Sequence, residues 1–376
     1  MKILHIITSL GDGGAENTLY KICKYDNQNH HVVISLKQPK KYSYILKKDH
    51  IKTYHLDMKY FSFFSFLKLI YLIRTINPDI VQTWLIHGDL VGGFAAKLAG
   101  FKNIVWNVRY SNLEKKKENF INILLIKILA FSSNFIPKKI IVVSKSAKIN
   151  CKKFGYNKKK LFLINNGYDL LLYKPNHMEK VLFRMKYNIK KKIPIIGNIA
   201  RFAPMKDHVN LLQSLSILKQ KNINFFCLLA GSNIDKNNFE LRQHLKKLNL
   251  SNSVKLLGKQ KNISKIMNTI DLYVQSSRYG EGFPNVVAEA MAHEIPCIVT
   301  DVGDAKFIVG QTGWTVPAND PLKLATNMKD VFLKIYTKKW KNRCKQSRSR
   351  IGKNFNINHM ISSYLKLWLN VYNQNR

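Results

Sequence analysis

Apolar positions along the chain fall into short continuous runs, separated by stretches in which they recur every three or four residues. The runs, rich in Ile and Val, predict strands buried on both faces, and the longer period predicts amphipathic helices. Lys2–Thr8 predicts a first strand, followed by the turn Gly11-Asp12-Gly13-Gly14 and a helix from Ala15 to about Tyr25. Val32–Leu36, Ile80–Thr83, Ile104–Asn107 and Ile140–Val143 predict further strands, with helices over Asp89–Ala99, closed by Gly100, and over Lys145–Phe154. Strands alternating with helices at this spacing predict a parallel, doubly wound sheet.

The pattern then restarts. Pro175 and the polar, basic stretch 176–192 predict a linker. Beyond it, Ile195–Ala200, Phe225–Ala230, Val254–Leu257, Leu272–Gln275 and Cys297–Thr300 predict strands, with helices over Asp207–Lys219 and Glu240–Leu248. At 376 residues the chain exceeds one comfortable domain. The expected fold class is α/β, with two Rossmann-like doubly wound domains at 1–175 and 193–360. A C-terminal helix over 361–376 has room to pack back on the first domain.

Composition narrows the class. Hydrophobic residues at 46 % and charged residues at 22 % suit a folded chain and exclude a disordered or collagen-like one. Lys and Arg number 62 against 22 Asp and Glu, a formal charge of +40. That excess points to an anionic partner, or to A/T-rich codons that favour Lys, Asn, Ile, Phe and Tyr alike. Cys23, Cys151, Cys227, Cys297 and Cys344 are scattered without CxxC spacing, which argues against a disulfide framework or structural zinc. His5 and the glycines after Leu10 make the first residues a strand rather than a signal peptide. Phe61–Ile76 is interrupted by Lys68 and Arg74, and Phe120–Ile136 by Lys127, so neither is expected to cross a membrane.

In open α/β sheets, ligands bind beyond the carboxyl ends of the strands. Gly13 and Gly14 stand there after the first strand, where backbone can approach an anion and a helix start offers N–H groups. The run is not GxGxxG, and strand two ends Ser35-Leu36-Lys37 without a ribose-binding acid, which disfavours a nicotinamide site. A plain strand–helix turn explains it equally well. The segment Arg278-Tyr-Gly-Glu281-Gly-Phe283-Pro284-Asn285-Val286-Val-Ala-Glu289 is more specific. Pro284 suits the first turn of a helix, which puts Glu281 in the loop before it and Glu289 one to two turns in. The helix start offers N–H groups near Phe283, Asn285 and Val286 to a phosphate, and the two carboxylates suit the hydroxyls of a sugar or ribose. Acid is scarce here, with only 8 Glu in the chain. Arg201 and Lys206 follow a strand in the same half, a fork and a point charge able to clamp a diphosphate.

These residues resemble a known family. The E-x7-E motif of Glu281 and Glu289, with Arg201 and Lys206, Gly13-Gly14, Asn166-Gly167 and Gly258-Lys-Gln, is similar to the retaining glycosyltransferases of family 4, which have the GT-B fold. The resemblance covers essentially the whole chain and is most specific over 195–317. It implies two domains across a cleft, with a nucleotide-sugar held mainly by the second and the acceptor by the first. It further implies that Arg201 and Lys206 bind the diphosphate, Glu289 the ribose and Glu281 the transferred sugar. Phe283, Asn285 and Val286 would supply backbone donors, and Gly14 the glycine loop from the first domain. His87, in Thr83-Trp84-Leu85-Ile86-His87, would lie near the reacting sugar, and Trp106-Asn107-Val-Arg109 near the cleft.

The implied reaction is transfer with retention of configuration, by front-face attack assisted by the departing phosphate. No cofactor or metal is expected: Asp301 and Asp304, three apart, miss the Asp-x-Asp spacing, leaving Arg201, Lys206 and the helix start to meet the diphosphate charge. A UDP-sugar is the favoured donor and a GDP-sugar the alternative. The expected acceptor is a glycan, lipid-linked, in cell-envelope assembly. Tyr60–Arg74 and Lys115–Leu129 mix aromatics with lysines, as suits an anionic membrane surface on the cytoplasmic side. A GT-B sugar-nucleotide epimerase and a basic nucleic-acid-binding protein are the alternatives. The second lacks a zinc-finger or RNP1 pattern, so no nucleic acid is expected.

Overall fold

The computed structural model describes residues 1–58, 62–109 and 120–374. The chain forms two compact units, Met1–Gly167 with Ile357–Arg376, and Tyr168–Asn356.

The first unit is built on a seven-stranded parallel sheet. Its strands are β1 Lys2–Ile7, β2 His30–Ser35, β3 Lys52–His55, β4 Ile80–Trp84, β5 Ile104–Val108, β6 Lys139–Val142 and β7 Leu161–Leu163, in the order β3-β2-β1-β4-β5-β6-β7. The central strands are buried almost throughout because helices cover both faces, and they are mostly apolar, with His5, Gln82, Thr83 and Asn107 as buried polar exceptions. Ile3, Ile7, Trp84 and Val105 face one core, and Leu4, Ile6, Val81 and Trp106 the other. The edge strands β3 and β7 are short, β3 with polar residues and β7 only three residues long, and periodicity does not single them out. The helix expected over Asp89–Ala99 begins earlier, as a turn at Leu85–His87, a π-helical stretch Gly88–Gly92 and an α-helix Gly93–Leu98. Gly92 and Gly93 let this segment sit against the sheet: a Cβ would lie 2.8 Å from Ile6 Cγ2 and 2.7 Å from Trp106 Nε1 respectively.

The second unit repeats the plan with six parallel strands. These are β8 Ile195–Ile199, β9 Phe226–Ala230, β10 Val254–Leu256, β11 Leu272–Gln275, β12 Cys297–Thr300 and β13 Trp314–Val316, ordered β10-β9-β8-β11-β12-β13. The stretch expected as a linker is instead part of this unit. Residues His177–Lys186 form a helix capped by Asn176, whose side chain accepts from the Met178 N–H at 3.1 Å. Its basic residues are not linker charges: Lys180 and Arg184 reach Asp271 at 3.0 and 2.7 Å. The boundary therefore falls at Gly167 and Tyr168.

The last helix, Ile357–Asn373, belongs to the first unit and buries Met360, Ile361, Tyr364, Leu367, Trp368 and Val371 at helical spacing. All five cysteines are free. No helix among the described residues is long and apolar enough to cross a membrane.

Candidate functional site

In the second unit, two loops meet at the carboxyl ends of the neighbouring strands β8 and β11. After β8, a short 3-10 turn Pro204–Lys206 leads to Asp207, whose carboxylate caps the helix His208–Gln220 at the Asn210 N–H. After β11, residues 276–284 lead to the helix Asn285–Ala292, with Pro284 at its N-cap, one position before the first turn. The loops are tied together: Ser276 Oγ donates to the Lys206 carbonyl at 3.0 Å, and the Arg278 N–H to the Met205 carbonyl at 2.9 Å.

This junction brings Lys206 and Glu281 into contact, Nζ to Oε1 at 2.5 Å. Ser277 Oγ donates to the same oxygen at 2.6 Å, while its carbonyl accepts from Thr300 Oγ1 at 2.6 Å. Glu281 is thereby buried as a paired carboxylate. Gly303, at φ +63°, closes the loop from the other side, and a Cβ there would lie 2.4 Å from the Glu281 carbonyl oxygen. Its neighbour Asp304 donates its N–H to the Gly282 carbonyl at 2.8 Å. Ser277 and Gly303 were not legible in the sequence, since neither falls in the E-x7-E motif.

The remaining residues of the motif lie around this pair. Phe283 is buried and stacks on Tyr168, with ring centroids 6.4 Å apart. Asn285 accepts from the Tyr168 hydroxyl at 2.7 Å through Oδ1. Asn285, Val286 and Glu289 are half-buried along the helix Asn285–Ala292. Arg201 is exposed and donates to Met205 Sδ at 3.5 Å; it stands outside the Lys206–Glu281 pair.

In the first unit, Gly13 is the N-cap of the helix Gly14–Tyr25. The Glu16 carboxylate folds back over this turn, where a Cβ on Gly13 would lie 2.5 Å from Oε2. Burial pushes Glu16 above the usual carboxylate range, against hydrogen bonds from backbone at Glu16 and Gly11. His87 ends the turn Leu85–His87 and is exposed; desolvation and then Lys37 hold it below the ordinary imidazole value. The adjoining Gly88 N–H donates to Thr8 Oγ1 at 3.2 Å, so the loops after β1 and β4 touch. Behind them Asp89 is fully buried, accepts from Thr83 Oγ1 at 2.6 Å, and burial raises it to about 7.

Arg109 has a defined place. Its guanidinium donates to Asn107 at 2.9 Å, Asn166 at 2.6 Å and the Tyr364 hydroxyl at 2.8 Å, over the ring of Trp84. It therefore ties β5, the segment before Gly167 and the last helix together.

Among the described residues, one group has metal-ligand geometry: His5, Cys23 and His31, all buried. The Trp84 indole N–H, which can only donate, points at His5 Nδ1 at 3.2 Å. His5 Nε2 then carries the proton and donates to His31 Nδ1 at 3.0 Å, and His31 Nε2 donates to Asp26 at 3.1 Å. Ligation through His5 Nε2 would move its proton to Nδ1, against the indole N–H. The group reads as a packed hydrogen-bond relay rather than a metal centre.

Two family models match the chain, "Glycosyltransferase Family 4" over residues 12–171 and "Glycosyl transferases group 1" over residues 180–348. The chain is 30 % identical over 224 residues to a Bacillus subtilis protein named glycosyltransferase EpsF, covering 57 % of this chain and 56 % of that one. The chain thus spans little more than half the length of the first curated relatives it matches. It is 23 % identical over 324 residues to the UDP-Gal:alpha-D-GlcNAc-diphosphoundecaprenol alpha-1,3-galactosyltransferase of Escherichia coli, covering 84 % of this chain and 80 % of that one. In fold it is similar to Anabaena HepE, solved in complex with UDP, at a TM-score of 0.84 and 20 % identity over 97 % of this chain and 99 % of that one.

Proposed function

We propose a reaction for this chain, which belongs to the GT-B-fold glycosyltransferases of family 4: transfer of a sugar from a nucleotide-sugar to a growing cell-envelope glycan. The observation that carries the proposal is the Lys206–Glu281 pair, set at the carboxyl ends of β8 and β11 beside a helix start. In this reading the donor diphosphate takes Lys206, with Arg201 swinging in from its exposed position. Glu281, held on one oxygen by Ser277, accepts from a hydroxyl of the transferred sugar. Glu289, farther along the helix, accepts from the ribose diol, and the N–H groups near Phe283, Asn285 and Val286 face phosphate oxygens. Gly13, Gly14 and His87 line the corresponding edge of the first unit's sheet, where His87, largely neutral at neutral pH, positions the donor sugar.

A UDP-sugar is the proposed donor, supported by the UDP in the HepE structure and the UDP-Gal in the name of the Escherichia coli relative. The reaction proceeds with retention, by front-face attack in which the leaving phosphate takes the acceptor proton, and without a metal. The diphosphoundecaprenol named for that relative supports a lipid-linked acceptor. Such an acceptor calls for a membrane-facing surface, and the first unit carries a suitable one. Phe63, Phe64, Leu67 and Tyr71 are exposed on the helix Phe63–Ile76, and Ile121, Leu124, Ile128 and Phe131 on the helix Phe120–Ser132. With Lys68 and Lys127 among them, these helices suit the anionic cytoplasmic face of a membrane.

Calorimetric titration tests the donor assignment. UDP should bind more tightly than GDP, and Glu289→Ala should weaken UDP about tenfold or more, the scale of a lost charge-assisted hydrogen bond. Equal binding by wild type and Glu289→Ala would remove Glu289 from the ribose, and binding of GDP alone would overturn the UDP reading.

A further inference from the structure

The second unit has another concavity, at the amino-terminal edge of its sheet, opposite the loops that carry Lys206 and Glu281. It encloses about 440 Å³ where the segments entering β11 and β12 meet the helices His177–Lys186 and Lys338–Asn354. This volume is in the range of small-molecule sites.

Its chemistry is specific. Asp271, on the wall, is already used by Lys180 at 3.0 Å, Arg184 at 2.7 Å and the Tyr336 hydroxyl at 3.2 Å. Lys341 and Lys345 also line the cavity, one helical turn apart on the same face, and neither has an ion-pair partner among the described residues. Glu294 is the other carboxylate on the wall, so the cavity keeps an excess of positive charge. Of the other polar groups on the wall, Asn176 and Asn268 make hydrogen bonds of their own, to Met178 and Glu179, and His177 is exposed, whereas His293 is only 2 % exposed. Its Nδ1 lies 2.8 Å from the Glu289 carbonyl oxygen, which can only accept, so Nδ1 carries the proton. Burial, then Arg348, holds the ring in its neutral form against that hydrogen bond. Nε2 is left as a bare, buried lone pair with no partner among the described residues. A buried acceptor of this kind calls for a donor.

An occupant must therefore offer a hydroxyl to His293 and an anion to the lysines. We propose that this cavity binds a phosphorylated polyol, with a hydroxyl donating to His293 Nε2 and the phosphate lying on Lys341 and Lys345. The site also bears on the first one. His293 holds the last turn of the helix that carries Glu289, so a ligand on its other nitrogen braces that helix.

The binding claim does not rest on the transferase reading, and its test avoids donors. Isothermal titration with glucose 6-phosphate, glucose and inorganic phosphate on the full chain should show 1:1 binding of glucose 6-phosphate, with the other two at least tenfold weaker. Lys341→Ser/Lys345→Ser, at exposed positions that leave the fold intact, should weaken glucose 6-phosphate at least tenfold. Lys206→Ala should leave it unchanged. Absence of binding at millimolar ligand would overturn the proposal. So would binding that survives loss of both lysines and disappears in Lys206→Ala, because the phosphate would then be using the other edge of the sheet. Inorganic phosphate binding as tightly as the sugar phosphate would overturn the polyol assignment.

Discussion

Lys206 Nζ lies 2.5 Å from Glu281 Oε1, and the two side chains are only 22 % and 8 % exposed. Residues 75 apart in sequence are thus joined in the resting chain by an ion pair that a bound diphosphate must share or open. The pair is also a source of conformational order, since it fastens the turn after β8 to the loop after β11.

Breaking one side of a pair this deep leaves a desolvated charge, which costs about 3 kcal/mol or more, whereas removing both partners costs less. Lys206→Met should therefore lower the unfolding free energy more than Lys206→Met/Glu281→Gln does. Urea denaturation of the single variants and the double variant gives the coupling directly. A coupling energy near zero would mean that the two side chains act independently.

Much of this architecture is legible in the sequence. β11, β12 and the helix Lys145–Phe154 fall where periodicity puts them, and Glu281 and Glu289 stand in the loop and on the helix that Pro284 announces. What escapes is of two kinds. Short edge strands such as β3, whose residues Lys52–His55 alternate in no clear way, owe their conformation to pairing with β2 rather than to their own pattern. Long-range partners escape as well. Nothing in the spacing of Ser277 and Lys206 says that both donate to one oxygen of Glu281, and nothing in Arg109 says that it ties Asn166 to Tyr364. The stretch 176–192 reads as a linker because its charges are dense, and only the fold supplies Asp271 to neutralise Lys180 and Arg184.

Activity should persist in a chelator. Asp301, the aspartate nearest a metal-binding pattern, is 3.7 Å from Lys306, and Asp304 is buried behind the Gly282 carbonyl. Positive charge from Lys206 and Arg201 then has to meet the diphosphate. Transfer measured in millimolar EDTA should match the untreated rate, and loss of activity reversed by manganese would contradict the proposal.

Membrane binding should have a salt-sensitive and a salt-resistant part. Each Lys or Arg near an anionic surface contributes about 1 kcal/mol, screened within roughly 10 Å at 0.1 M salt, while inserted aromatics are not screened. Of the four phenylalanines in the first segment, Phe63 and Phe64 are the exposed pair, at 68 % and 80 %. Phe66 packs against the core, and Phe61, Tyr60 and Lys115–Lys117 lie outside the described residues. Phe63→Ser/Phe64→Ser should therefore make vesicle-bound protein fully salt-extractable without lowering Tm, whereas Phe66→Ser should lower Tm. Flotation with phosphatidylserine vesicles reads the first effect. Failure of the wild type to float at low salt would favour a soluble acceptor.

The dependence of stability on pH should carry opposing contributions that two substitutions separate. Burial lowers His208 to about 4 and holds His5 well below its ordinary value. As pH falls below about 6.5 the unfolded chain protonates these imidazoles and the folded chain does not, so each removes stability toward acid. Asp89 works the other way. Its folded carboxyl keeps the proton up to about 7 while the unfolded one loses it near 4, so its contribution declines as pH rises between those values. One proton of difference is worth about 1.4 kcal/mol per pH unit. Between pH 5 and 6, Asp89→Asn should therefore make the rise of stability with pH steeper by about that amount, and His208→Gln should make it shallower by the same. Unfolding free energies of the three proteins at quarter-unit pH steps would show this, and a flatter curve for Asp89→Asn would mean that Asp89 is ionised in its buried site.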